Sequence, residues 1–165
     1  MQDGDGSRAD FAAFVQSSGP YLSQTAFLLT GDRDNAADLV QEALARTYAA
    51  WWRVRRSDAL KYARKVLVNL HIDQRRRRRP VTVEWSDLPS RDRTEAAADD
   101  RDEVRRLLDT LPPQQRQVIV LRYFSDLPEA EVARLLGISV GTVKSAGSRG
   151  LAALRGRTRT MEGDR

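Results

Sequence analysis

The sequence predicts an all-α protein of two small helical domains joined by a flexible acidic linker. Three observations carry that expectation. Apolar residues recur at helical spacing in the N-terminal half, a proline-bracketed polar stretch follows near residue 80, and two short helices in helix-turn-helix spacing surround Gly137. At 165 residues the chain has room for one ordinary domain or two very small ones. Its 41% hydrophobic content lies close to the roughly 45–50% of globular proteins, so it should fold.

Composition removes several classes of chemistry. With no Cys and one His, disulfides, thiolate nucleophiles and Cys/His zinc sites are excluded, and a Ser-His-Asp arrangement has only His71 to use. His71 stands alone on a helix and reads as structural, because a metal site needs several donors. No catalytic, cofactor or metal site is expected. No stretch approaches the roughly 18 apolar residues of a membrane span, and Met1–Gly6 lacks the basic-then-apolar order of a signal peptide. A cytoplasmic protein without membrane insertion is expected.

The net charge of +5 is unevenly distributed: residues 1–52 carry −4, residues 53–79 carry +9, residues 80–110 carry −4 and residues 111–165 carry +4. Two basic zones separated by an acidic one suggest two contacts on a polyanion. Arg75–Arg79 places five cations in succession, which repel one another unless an anion lies nearby.

Residues 1–10 are expected to be disordered. A first helix runs from Phe11 to Leu29, and a second from Asn35 to Trp52 with Ala36, Val40, Ala43, Leu44, Thr47 and Trp51 at helical spacing. Asp32 or Asp34 after Gly31 supplies its cap; a calcium loop is excluded because the third ligand and closing Glu are missing. A third helix from about Ala59 to Arg78 has Leu60, Ala63, Leu67 and Leu70 on one side and Lys61, Arg64, Lys65, Asn69 and Asp73 on the other. Trp51, Trp52 and Tyr62 lie near this basic face, either filling the core or stacking on single-stranded nucleic acid.

Pro80–Ser90 shows no sustained helical period and continues into polar residues, giving a linker over 80–100. After Leu111 a helix starts near Pro113, where proline is tolerated in the first turn. Pro128–Leu136 is then a short helix, Gly137–Ser139 a turn, and Val140–Leu154 a second helix capped by Ser139. Ala133 is small because the second helix crosses over it, while Val132, Leu136, Ile138 and Val143 form a shared core. In such a motif the second helix enters the major groove, which makes Thr142, Lys144, Ser145, Ser148 and Arg149 candidate DNA contacts. Gly141, Gly147 and Gly150 reflect either close backbone approach to DNA or a loosely stable helix. Residues 156–165 read as a basic, poorly ordered tail.

Four segments in order carry a family resemblance: Asp38–Ala43, Val68–Asp73 with the arginines behind it, Leu111–Val118, and Gly137–Ser145. The chain resembles a bacterial RNA polymerase sigma factor of the extracytoplasmic-function type within the sigma-70 family, close to the SigE-like actinobacterial group. The resemblance implies sigma region 2 over 11–79 and region 4 over 101–155. It also implies partners: core RNA polymerase, through the β′ clamp helices and β flap, and promoter DNA, melted at −10 and duplex at −35. Inhibitory anti-sigma factors are common in this family, although no segment identifies one here.

By the same resemblance Asp38, Leu39, Gln41 and Glu42 dock on the polymerase, and Arg55, Arg56, Lys61, Arg64, Lys65, Asn69, Asp73, Arg75 and Arg76 contact the −10 element. Thr142, Lys144, Ser145, Ser148 and Arg149 contact the −35 element. The sequence departs from the family at Ala146, where a long basic residue is usual, and at Gly147, where a bulkier one is usual; both bear on −35 preference. A stand-alone helix-turn-helix regulator is the rival reading, but it leaves the basic third helix without a task. A nucleic-acid enzyme would need clustered carboxylates, and zone 53–79 offers only Asp58 and Asp73.

Overall fold

The computed structural model describes residues 3–77 and 99–163, and the chain divides into two compact units, Met1–Pro80 and Val81–Arg165. All but the last two residues of the expected linker 80–100 lie outside the described residues, as do Arg78 and Arg79.

The first unit is a three-helix bundle of α1 (Asp3–Thr30), α2 (Arg33–Ala49) and α3 (Ala59–Arg77). Helix α1 begins within the segment expected to be disordered, which corrects that expectation. Its early turns are tied down by Phe11 and Phe14, whose rings lie 5.0 and 5.3 Å from that of Trp51. Once a helix is nucleated, each added residue costs little. Gly31, at φ +72°, closes α1 in the left-handed region, its N–H donating to the Phe27 carbonyl at 2.8 Å. One residue on, the Asp32 carboxylate caps α2 by accepting from the N–H groups of Asp34 (2.8 Å) and Asn35 (3.1 Å). Helix α2 ends at Ala49, short of the expected Trp52, and Trp51 packs into the core just beyond that end.

Leu22, Ala26 and Leu29 of α1 meet Leu39, Val40 and Ala43 of α2 and Ala63, Leu67 and Val68 of α3 in that core. Small residues on α2 and α3 allow the helices to approach closely. His71 is buried with them, as a structural residue of α3 would be.

The second unit contains α4 (Asp99–Asp109), α5 (Pro113–Ile119) running into a π-helical turn at Val120–Phe124, α6 (Glu129–Leu136) and α7 (Val140–Glu162). Helix α4 overlaps the expected linker by two residues. Arg116 joins α5 to the end of α4: its Nε donates to the Leu108 carbonyl at 3.0 Å, and its Nη2 lies 3.3 Å from Asp109. Burial lowers the pKa of Arg116, with Asp109 opposing, yet an arginine stays charged over the whole physiological range.

Gly137, at φ +66°, makes the turn between α6 and α7, and Ser139 caps α7 by accepting from the Thr142 N–H at 3.1 Å. Val132, Ala133 and Val143 are buried where α6 and α7 pack; Leu136 and Ile138, expected in the same core, are half-buried at its edge. Helix α7 continues to Glu162 rather than ending at Leu154, which corrects the poorly ordered tail expected over 156–165. A cation in the last turn suits the negative end of the helix dipole, as with Arg159.

Candidate nucleic-acid interface

On α3, Lys61, Lys65, Asn69 and Asp73 follow one another at four-residue spacing and are all exposed, with Arg76 beside the same stripe. The opposite side carries the buried Ala63, Leu67 and Leu70. Arg64 and Arg75 are half-buried on the far flank of the helix, and Arg64 donates to the Tyr21 hydroxyl on α1 at 3.1 Å. The candidate −10 contacts of α3 are therefore divided between two flanks.

The loop between α2 and α3 sorts its cations and rings sharply. Arg56 Nη1 donates to the carbonyls of Trp51 (3.1 Å) and Val54 (3.2 Å), its Nε lies 3.5 Å from Asp10, and its guanidinium stacks over the Trp51 ring. Arg56 thus holds the loop together as well as facing solvent. Arg55 is exposed. Arg53 donates to the Tyr62 hydroxyl at 3.3 Å. Trp51 is 2% exposed and belongs to the core, whereas its neighbour Trp52 is 84% exposed. Core filling is therefore the role of Trp51, while Trp52 is open to solvent. Helical spacing puts Trp51 on the core face and Trp52 on the side of the exposed Gln41 and Ala45, and the structure keeps that division beyond the end of α2.

On the outer side of α2, Asp38, Gln41 and Glu42 are exposed, and Glu42 pairs with Arg46 at 2.7 Å one turn on. Leu39 is 0% exposed. Its side chain is a core residue and offers no surface for docking, which corrects its assignment to the polymerase contact.

Helix α7 has two faces of different character. Lys144, Ser145, Ser148 and Arg149 are exposed, and Thr142 is half-buried with its hydroxyl 2.8 Å from that of Ser139. Ala146, Gly147 and Gly150 are buried on the opposite face, against α5. A Cβ on Gly147 would meet Val118 Cγ1 at 3.5 Å, and one on Gly150 would meet Ile119 Cγ1 at 2.9 Å. Close packing on α5 explains Gly150, whereas a Cβ at Gly147 would make only ordinary van der Waals contact. The small residues at 146 and 147 are likewise buried and face the core of their own unit. Gly141 has open space around its Cβ position apart from Ser139 Oγ at 3.9 Å.

Sequence reasoning missed Glu129. From the first turn of α6 its carboxylate reaches Lys144 Nζ at 3.9 Å and Arg122 Nη2 at 3.8 Å, beside a groove lined by Tyr123, Val143 and Ser148. Only its position in the first turn was legible, and that alone suggests a dipole partner. Among the described residues, no three His, Asp or Glu side chains are placed to share a metal ion.

Comparison with known proteins places both units. Residues 14–81 match the model of Sigma-70 region 2, and residues 101–154 match that of Sigma-70, region 4. The chain belongs to the sigma-70 family, as an extracytoplasmic-function sigma factor. It is 39% identical over 152 residues to RNA polymerase sigma-E factor of Streptomyces coelicolor, covering 88% of this chain and 84% of that protein. RNA polymerase sigma factor SigV of Bacillus subtilis is 30% identical, covering 79% of this chain and 80% of that one. Among solved structures, the sigma factor RpoE in complex with the anti-sigma factor NepR from Bartonella quintana is similar at 25% identity and TM-score 0.70, covering 91% of this chain and 97% of that one. This sigma factor is a promoter-specificity subunit that directs RNA polymerase to start transcription. The region 2 match across the first unit rules out the stand-alone regulator, which had no role for that unit. Among the described residues, no helix is long and apolar enough to cross a membrane.

Proposed function

We propose that this sigma factor engages its promoter through two separate faces, one in each unit, while leaving catalysis to the polymerase it joins in the cytoplasm. In the region 2 unit, taken as 11–79, the α3 stripe of Lys61, Lys65, Asn69 and Asp73, with Arg55 and Arg76, takes the melted −10 strand. Arg56 supports that loop from beneath, and Arg64 and Arg75 meet the backbone from the far flank. Trp52 supplies the ring on which an unpaired base stacks. The observation that carries this reading is its 84% exposure next in sequence to the exposed Arg53, since a bare indole in water is otherwise unfavourable.

Asp38, Gln41 and Glu42 form the polymerase-docking face of α2, which is acidic and polar and shares no residue with the α3 stripe. In the region 4 unit, taken as 101–155, Thr142, Lys144, Ser145, Ser148 and Arg149 enter the major groove of the −35 element. The linker 80–100 joins the two units. The Bartonella relative was solved with an anti-sigma factor, and we assign this chain an inhibitor of the same kind, covering region 2 or region 4 surface.

Run-off transcription by purified actinobacterial core polymerase on a promoter library, with and without this protein, tests the reading. Protein-dependent initiation at a shared pair of −35 and −10 sequences is expected. Initiation indifferent to the −10 sequence would overturn the role given to α3 and Trp52.

A further inference from the structure

The exposed side of α7 does not end where the helix-turn-helix ends. At 100° per residue, Lys144, Ser148, Arg155 and Arg159 fall within about 60° of one another on one stripe. Arg157 falls on the other side, in line with the buried Ala146 and Gly150. All three arginines are exposed, and the last two turns lie beyond the region 4 match, which stops at residue 154. On the stripe only Glu162, at the extreme end, is acidic.

Length decides what Arg155 and Arg159 can reach. The major groove is about 12 Å wide, and a helix rises about 1.5 Å per residue, so a helix entering by its first turns leaves the groove within about eight residues. Arg155 lies eleven residues beyond Lys144, about 16 Å along the axis, and Arg159 one turn further. They sit past the base edges, level with the flanking phosphates. The C-terminal end of a long recognition helix can contact the backbone in this way, as in homeodomains.

We propose that the last two turns of α7 are a phosphate anchor, in which Arg155 and Arg159 bind the DNA backbone flanking the −35 element without reading sequence. This rests on the assignment of Lys144 and Ser148 to the −35 groove. It adds a surface outside the matched region, with a duplex phosphate strand as its ligand.

Equilibrium binding of the holoenzyme to a promoter duplex, measured across a range of KCl concentrations, tests it. Neutralising both arginines by Arg155→Gln and Arg159→Gln should lower the slope of log K against log salt by about 1.8, at about 0.9 per phosphate contact. Arg157→Gln, which removes one charge off the stripe, should leave the slope unchanged. Selection from a randomised −35 library should return the same sequence for the double variant as for the parent. An unchanged slope in the double variant, or a fall of about 0.9 with Arg157→Gln, equal per charge removed, would overturn the anchor. A change in the selected sequence would overturn it too, by making these residues readers. Circular dichroism of the double variant guards the comparison, since Gln retains good helix propensity. Lys144→Ala in the same selection tests the parent assignment: unchanged preference there fails the groove reading, whereas altered preference with an unchanged slope in the double variant fails the anchor alone.

Discussion

The guanidinium carbon of Arg56 lies 4.0 Å from the centroid of the Trp51 ring, so a loop cation covers a buried core indole that is also walled by Phe11 and Phe14. The loop between α2 and α3 and the interior of the first unit therefore share one contact.

Arg56→Ala should accordingly destabilise the unit. A cation–π contact of about 0.5–1 kcal/mol and hydrogen bonds to two carbonyls, at about 1 kcal/mol each, are lost together. Arg55→Ala should leave stability unchanged. Urea denaturation of the two variants checks the contrast, and equal midpoints would remove the structural role given to Arg56.

Trp52→Ala should leave the denaturation midpoint where it is and reduce the lifetime of open promoter complexes. Base–aromatic stacking is worth about 1–3 kcal/mol, or roughly 5- to 150-fold in the open-complex equilibrium. Permanganate footprinting of the melted region, with Trp52→Phe as the rescuing variant, reads this directly.

The α2 surface separates docking from folding. Asp38→Ala with Gln41→Ala should weaken binding to core polymerase while the protein remains folded. Leu39→Ala should instead cost about 2–5 kcal/mol of stability, because its side chain has no exposure and leaves a cavity. Binding to core polymerase, measured alongside thermal melting, distinguishes the two outcomes.

Lys144→Ala should reduce use of the −35 element without affecting the affinity for core polymerase. Glu129→Gln should act in the opposite direction on duplex DNA. Removing the carboxylate 3.9 Å from Lys144 Nζ and 3.8 Å from Arg122 frees both cations for phosphate, so non-specific affinity should rise. Gel-shift titration on random duplex is the check, and a fall in affinity there would contradict the restraining role of Glu129.

The glycines of α7 should divide as their surroundings do. Gly150→Ala forces a methyl to 2.9 Å from Ile119 Cγ1, and overpacking of this kind costs about 1–3 kcal/mol. Gly147→Ala reaches only ordinary contact at 3.5 Å and should be neutral or gain up to about 1 kcal/mol from helix propensity. Thermal melts of the two variants should move in different directions.

Much of this was legible from local pattern. The Asp32 and Ser139 caps, the left-handed Gly137 and the buried Ala36, Val40 and Ala43 follow from short-range chemistry, and the outward Lys61, Lys65, Asn69 and Asp73 follow from period alone. Leu39 belongs to a motif that resembles a docking surface, yet it stands three residues from Ala36 and four from Ala43, on the face that period marks as buried. What was not legible depended on tertiary contact. Gly147 and Gly150 read as weak helix residues until α5 is seen lying against them. The early start of α1 and late end of α7 escaped because both terminal stretches are polar, with no apolar period to announce a helix.

The small-residue face of α7 also bears on how such a protein can diverge. Ala146, Gly147 and Gly150 fix the helix against its own unit, while Lys144, Ser145, Ser148 and Arg149 are held clear of that contact. Drift at the outward positions carries almost no folding penalty, so a duplicated gene can wander towards a new set of target promoters through intermediates that all remain folded.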